Sequence, residues 1–398
     1  MKLPSTWRVA RISDLGRVVT GATPGAQDRD RFSGSLPFIT PTDLDANCRT
    51  PDIARFVSDN ARSRLSGRIV PPRSVCFTCI GATIGKACLT DRESLTNQQI
   101  NTIVVDERSF DPAFVYYRLV ADRETIKTMA GGAATPIVSK SAFENVTVLM
   151  PSLSIQRKIA AILSAYDELI ENNKRRIKVL DEMAQRIYRE WFVDFRYPGH
   201  EEVPSVQSEL GLIPGGWEIA AVANLVERIH PGVARKSVSD RIGRTVPIID
   251  QSRDDIAGFH DGEADVTASI EAPVLVFGDH TCKMRVMLEP FSVGPNVVVF
   301  RPSAPVPSLL LFRLLRDLVT TQEYKRHWTS LASKLVVVPP FALGQRYAAA
   351  VQDCHRLMEV LREASRTLRE TRDLLLPRLI AGEIYVTDLE IALFDVAT

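Results

Sequence analysis

The sequence predicts an α+β protein built as globule, helix, globule, helix, and three observations carry that prediction. The first is an internal repeat. Pro4, Trp7, Val9, Ala10, Ile12 and Leu15 recur as Pro214, Trp217, Ile219, Ala220, Val222 and Leu225, 210 residues further on, and Pro37-Phe38-Ile39 recurs as Pro247-Ile248-Ile249 at the same offset. Pro151 and Gln156 then recur as Pro340 and Gln345, 189 residues apart. Units this long are no solenoid, whose repeats run about 20–50 residues; they are two copies of a domain-plus-helix unit, with an approximate two-fold axis expected. The second observation is short apolar runs punctuated by turn residues within each globular copy. The third is a sustained 3.5-residue apolar period after each of them, the pattern of a coiled-coil seam.

Taken in order, residues 1–150 form the first domain. Leu36–Thr40, Ser74–Ile80, Ile100–Val105 and Val146–Met150 read as strands, and Pro112 to about Met129 as a helix. Residues 151–197 form the first long helix, opened by Pro151 and closed by Pro198-Gly199. Its seam is Leu163, Tyr166, Ile170, Asn173, Ile177, Leu180, Ala184, Ile187 and Trp191. Residues 198–213 are polar and turn-rich, a linker. Residues 214–338 form the second domain, with strands at Val246–Ile249, Val274–Phe277, Val297–Phe300 and Leu335–Val338 and a helix from Ser308 to about Trp328. Residues 339–381 form the second long helix, with seam Tyr347, Val351, Cys354, Met358, Leu361, Ser365, Leu368, Arg372, Leu375 and Leu379. Each helix should run about 35–40 residues, about 55 Å. The simplest packing sets them against each other, with Asn173 fixing register. Residues 382–398 are an acidic tail of unread role.

Composition bounds the function. At 45% hydrophobic and 24% charged residues the chain is globular. No apolar run approaches the ~20 residues of a membrane span, and the opening residues lack the apolar core of a signal peptide. A cytoplasmic protein is expected. The net charge is only +1, with 19 basic and 15 acidic residues in 1–152. Any nucleic-acid binding must therefore use local patches or a partner's phosphate contacts.

Cys48, Cys76, Cys79, Cys88, Cys282 and Cys354 follow no paired framework, which suits a reducing compartment. Cys76 and Cys79 have the spacing of half a zinc site, but no second pair completes it and Val75 to Ile80 reads as a buried strand. Core cysteines, and no metal, are the expectation.

Catalytic motifs are missing. Gly81-Ala82-Thr83-Ile84-Gly85-Lys86-Ala87 has three residues between its glycines where a phosphate loop needs four, and Ala87 where Ser or Thr binds magnesium. Val338-Pro339-Pro340-Phe341 has valine where an amino-methyltransferase motif needs a polar residue to hold the amine. His260 and His280 have no nucleophile partner in the sequence. No catalytic residue and no cofactor site is expected.

Several blocks together resemble one family, the specificity subunits of type I restriction–modification systems. They are Thr20-Gly21-Ala22-Thr23-Pro24, Gly34-Ser35-Leu36-Pro37-Phe38-Ile39, Asp43-Leu44, Gly81–Lys86 and Thr96-Asn97-Gln98-Gln99. Pro151-Ser152-Leu153-Ser154-Ile155-Gln156-Arg157-Lys158-Ile159-Ala160-Ala161-Ile162-Leu163 is the densest, running on through Asp167 and Ile170-Glu171-Asn172-Asn173 to Trp191-Phe192. In the second half Ser208–Pro214 with Trp217-Glu218, Phe277-Gly278-Asp279-His280-Thr281 and Leu376–Ile384 carry the likeness. His230-Pro231-Gly232 stands where a second Thr-Gly-x-Thr-Pro would be, so the two domains are of different subclasses.

The resemblance implies two target-recognition domains, each reading half of a bipartite, asymmetric sequence in double-stranded DNA, and two spacer helices forming an antiparallel coiled coil. It implies partners: two methyltransferase subunits and restriction/translocase subunits, to which S-adenosylmethionine, ATP and Mg belong. Two other classes stay open, a coiled-coil adaptor without a DNA role and a divergent DNA methyltransferase. Recognition domains read base edges from loops, and Arg, Lys, Asn and Gln are the side chains with suitable geometry. The candidates are Arg73, Lys86, Gln98 and Gln99 in the first domain and His280, Lys283 and Arg285 in the second. Thr20–Pro24, Gly85 and Asn97 are read as turn architecture, and Arg62, Arg64 and Arg68 as either a solvated face or DNA contacts.

Overall fold

In the computed structural model the described residues are 7–25, 30–44, 49–131, 135–232, 235, 245–252, 256–321, 326–387 and 389. Pro4, Cys48, residues 322–325 of the expected second-domain helix, and tail residues 388 and 390–398 lie outside them. The chain divides into two compact units, residues 1–173 with 364–398, and residues 174–363.

Among its described residues the first unit has the strands β1 (Arg8–Arg11), β2 (Gly16–Thr20), β3 (Leu36–Ile39), β4 (Phe56–Val57), β5 (Ile69–Val70), β6 (Val75–Thr78), β7 (Ala87–Leu89), β8 (Ser94–Thr96), β9 (Ile100–Val105) and β10 (Thr147–Met150). One sheet has the order β2-β9-β6-β7, all antiparallel. A second has the order β4-β3-β8-β5, in which β3 and β8 run parallel, Phe38 opposite Leu95. β1 pairs with β10. β3 and β6 are buried at every residue, which explains why both read as continuous apolar runs. Around the sheets lie α1 (Ile12–Leu15), α2 (Asp59–Arg64), α3 (Pro112–Ala121), α4 (Arg123–Thr128) and α5 (Lys140–Glu144). Asp111 caps α3 by accepting from the Phe114 N–H, with Pro112 at the first helical position. The single helix expected from 112 to 129 is interrupted at Asp122 (φ −89°, ψ 2°), whose carboxylate receives the Arg118 guanidinium.

The second unit repeats this topology. Its strands are β11 (Ser205–Ser208), β12 (Gly211–Pro214), β13 (Glu218–Ala221), β14 (Val226–Ile229), β15 (Val246–Ile249), β16 (Gly258–His260), β17 (Val274–Gly278), β18 (Met284–Met287), β19 (Ser292–Val293), β20 (Val297–Pro302) and β21 (Leu335–Val338). One sheet runs β14-β20-β17-β18; another runs β16-β15-β19, with β15 and β19 parallel; β13 pairs with β21. Its short helices are α7 (Val222–Leu225), α8 (Ser308–Leu315) and α9 (Trp328–Ala332).

Two expectations fail here. The helix from Ser308 stops at Leu315, because Arg316 is extended (ψ 133°) and Asp317 is left-handed (φ 68°), and Trp328 opens a separate helix. The stretch read as a linker is instead a hairpin, Ser205–Ser208 against Gly211–Pro214. Its turn is closed by Ser208 Oγ donating to the Gly211 carbonyl at 2.6 Å, with Gly211 at φ 102°.

The long helices are α6 (Leu153–Tyr188, 36 residues) and α10 (Phe341–Ile380, 40 residues), about 54 Å and about 60 Å long. α6 ends ten residues before Pro198, passing into a π-helical turn at Arg189–Val193. Within the first unit the start of α6 packs on the end of α10: Leu163 shares a core with Leu376 and Leu379. Within the second, the end of α6 packs on the start of α10, and Tyr347 Oη donates to the Ala184 carbonyl at 3.3 Å. In both units the two helices therefore run antiparallel. Of the seam, Leu163, Ile170, Asn173, Val351, Met358 and Leu361 are buried, and Tyr166, Ile177, Leu180, Ile187, Leu368 and Leu375 half-buried. His355 and Leu376 are the buried members where Cys354 and Leu375 were expected.

Candidate nucleic-acid interface

In the first domain, loops from four strand ends meet at one edge of the two sheets. The Gly21 N–H donates to the Ile100 carbonyl (3.1 Å) and the Ala22 N–H to the Thr96 carbonyl (2.8 Å). The Asn97 N–H donates to the Ile39 carbonyl (3.0 Å) and the Cys79 N–H to the Gln99 carbonyl (2.8 Å). Gly21 is required by this closure, since a Cβ there would lie 2.2 Å from the Thr96 and Asn97 carbonyl oxygens. Side chains finish the assembly. Asn97 is buried and its Nδ2 donates to Gln99 Oε1 (3.1 Å). Thr23 Oγ1 donates to Gln98 Oε1 (2.5 Å), and Asp43 accepts from the Thr40 N–H and hydroxyl at 2.7 and 2.6 Å.

The candidate residues separate on this frame. Gln98 is exposed at the centre of the cluster, Gln99 is half-buried, and both present amide groups able to read a base edge. Lys86 lies in the cluster but its ammonium donates to the Leu44 and Pro41 carbonyls (2.8 and 3.3 Å), so it braces the 41–44 loop. Arg73 does not join them. It precedes β6 at the opposite end of the strand, about 17 Å away at 3.4 Å per residue, where its guanidinium pairs with Glu107 at 3.0 Å. Its φ of 62° marks a turn.

Two arginines do reach the cluster. Arg68 donates to the Thr20 carbonyl at 2.7 Å, and Arg55 lies over the rings of Phe32 (5.1 Å) and Phe38 (5.3 Å) with an N–H 3.5 Å from Thr40 Oγ1. Arg62 instead pairs with Glu93 at 2.7 Å. Nothing in the spacing of Arg55 or Arg68 announces their position; strand order alone brings them there.

The second domain builds the same edge from different residues. The Gly294 N–H donates to the Ile249 carbonyl (2.8 Å) as Asn97 does to Ile39. Gln251 Oε1 accepts from the His280 N–H (3.2 Å), its carbonyl accepts from Thr281 Oγ1 (2.7 Å), and Lys283 Nζ donates to the Ser252 carbonyl (3.1 Å). Asp279 Oδ1 accepts from the His327 and Trp328 N–H groups at 3.0 and 2.8 Å, fixing the start of α9. His280 and Lys283 thus come together. Arg285 lies along β18, opposite Val276 and away from the turn.

Cys76, Cys79 and Cys88 lie in the interior of the first domain. Cys76 and Cys88 face each other across β6 and β7, both fully buried, and burial pushes the Cys79 thiol up to about 11. Among the described residues no His, Cys, Asp and Glu group stands ready to hold a metal ion, and no helix is long and apolar enough to cross a membrane.

Each unit therefore carries a polar loop cluster of its own composition at one edge of its sheets, together with a pair of antiparallel helices. The comparisons name the class. The family described as "Type I restriction modification DNA specificity domain" matches residues 4–182. The type I restriction enzyme MjaIX specificity subunit of Methanocaldococcus jannaschii is 26% identical, over 98% of this chain and 96% of its own length. The HindI specificity subunit of Haemophilus influenzae is 29% identical over 46% of this chain and 41% of its own length. The solved S subunit of a type I restriction–modification system from M. genitalium has the same fold, with a TM-score of 0.59 at 15% identity, over 95% of this chain and 98% of that one. Residues 4–182 thus match the type I restriction modification DNA specificity domain, and nearly the whole chain is similar to a protein named as a type I specificity subunit.

Proposed function

We propose that the chain reads a bipartite, asymmetric sequence in double-stranded DNA, one half-site per loop cluster, and scaffolds two methyltransferase subunits and the restriction/translocase subunits. The observation that carries this is the repeated strand-end edge. The same backbone closure presents Gln98, Gln99, Arg55 and Arg68 in one unit and Gln251, His280 and Lys283 in the other. Different donors and acceptors on one frame mean different half-sites. S-adenosylmethionine, ATP and Mg act in the partner subunits, and a cytoplasmic location follows from that work. With a net charge of only +1, much of the phosphate contact falls to those partners.

The test is methylation mapping of the chain co-expressed with its methyltransferase subunit. A single bipartite sequence should emerge, and exchanging residues 1–150 for another member's first domain should replace one half-site and leave the other. If no duplex sequence is preferred, the chain is an adaptor; if the isolated chain transfers methyl groups, it is an enzyme. Either result would overturn this proposal.

A further inference from the structure

Within the first unit one buried carboxylate joins three helices. Asp167 of α6, with its side chain 7% exposed, accepts at Oδ2 from the Tyr117 hydroxyl of α3 (2.5 Å) and at Oδ1 from the Arg372 guanidinium of α10. Arg372 is itself held by Asp373 at 2.8 Å. Two further ties flank it: Arg49 donates to Ser164 Oγ of α6, and Arg118 of α3 donates to the Ile380 carbonyl of α10 at 3.2 Å. A buried ion pair of this kind adds little net stability, because desolvation offsets the attraction. What it adds is direction. The attraction among the apolar residues around it, Leu163, Leu376 and Leu379, is non-directional, whereas a hydroxyl and a guanidinium on one carboxylate satisfy their geometry only within a narrow range of relative angle.

We propose that Asp167 is a positioning residue for target reading: it fixes the angle at which the first recognition domain is carried on the spacer helices, and with it the gap permitted between half-sites. This rests on the DNA-reading proposal above. The lever is long enough to matter. A domain of this size has a radius of gyration near 15 Å, so its surface loops lie farther out. Loops about 20 Å from the pivot move about 3.5 Å for a rotation of about 10°, the rise of one base pair. Loss of the carboxylate therefore relaxes spacing while the loops that read bases stay intact.

The full chain, co-expressed with the methyltransferase subunit, is offered duplexes carrying both half-sites at the parental gap and at gaps one base pair shorter and longer. Asp167→Asn should keep the half-site bases and lose about tenfold of the preference for the parental gap, a change of ~1.4 kcal/mol. Tyr117→Phe, which removes one hydroxyl and keeps the ring, should lose part of it. Folded Asp167→Asn protein with unchanged gap preference overturns the proposal. So does a loss of methylation at all gaps that merely follows the fraction of folded protein; should Asp167→Asn not fold, Tyr117→Phe is judged by the same two criteria. A parent complex that shows no bipartite preference would instead sink the DNA-reading proposal itself.

Discussion

The two units share a topology and differ in how the charge they bury is paired. In the first, both partners at the junction of domain and helices are buried, the Asp167 carboxylate and the Arg372 guanidinium, with the Tyr117 hydroxyl on the same carboxylate. In the second only the cation is fully buried. Arg313 of α8 has a side chain 3% exposed and is held by Asp181 of α6, with Arg316, just past the end of α8, donating to both carboxylate oxygens at 3.0 Å. Burial alone would raise the Asp181 carboxyl, but Arg313 and Arg316 hold it below its usual range. His355 of α10 lies beside this group, edge-on to Phe312 at 5.9 Å. The position 189 residues earlier is Tyr166 in the first unit. The fold thus dictates where a recognition domain is tied to its helices and leaves open how the tying charges are paired.

The sharpest break of that comparison is Asp181→Ala. It strands Arg313 in the interior, and a buried charge without its partner should cost about 3 kcal/mol, whereas Arg316→Ala, on a half-exposed side chain, should cost under about 1 kcal/mol. Urea unfolding of the full chain measures both. Equal small losses would mean that water reaches Arg313.

Acid should separate the units next. Burial first, then the neighbouring Arg313, push His355 down to about 4. Arg362 and Arg316 add to this and Asp181 opposes it. The folded protein keeps the ring neutral while the unfolded chain protonates below about 6.5, so this contribution is complete above 6.5 and lost as pH falls toward 4. The loss is at most about 3 kcal/mol. His355→Gln should flatten the stability–pH curve between 6.5 and 4 relative to the parent. An identical slope in the two proteins would mean that His355 already carries its proton in the fold.

The smallest effect concerns Arg73. With its guanidinium at the far end of β6 on Glu107, Arg73→Ala should change first-half-site methylation less than about twofold, against at least about fivefold for Gln98→Ala, on the scale of a lost base contact. Comparable losses would move the reading edge to the other end of the sheet.

Much of this architecture was legible because it is periodic or repeated. The 210- and 189-residue offsets predicted two copies of one unit, and the 3.5-residue step found the buried face of both long helices. Where the sequence misled, the deciding interaction was distant. After Val351 a step of three reaches Cys354 and a step of four reaches His355; a heptad admits both, and the packing of α10 against Phe312 selects the histidine. Arg316 breaks its helix to reach Asp181, 135 residues away. Among the site residues, Gln98 and Gln99 were visible as a polar run after a strand. Arg73 looked equivalent because composition does not say at which end of a strand a residue falls; for the same reason Arg68 could not be separated from Arg62 and Arg64, and Arg55 was hidden.

The tail has a consequence for how the chain is made. Val386 is buried in the first core together with Leu376, Leu379 and Ile380, and Lys158 of α6 donates to the Thr387 and Leu389 carbonyls at 2.7 and 2.9 Å. The second unit is one continuous stretch, residues 174–363, while the first is assembled from both flanks of it. Emerging from the ribosome at about 5–20 residues per second, the first recognition domain waits for roughly 200 further residues, about 10–40 s, before its core closes. The domain translated first is the one completed last, and the second unit matures while its neighbour is still an unfinished surface in need of protection.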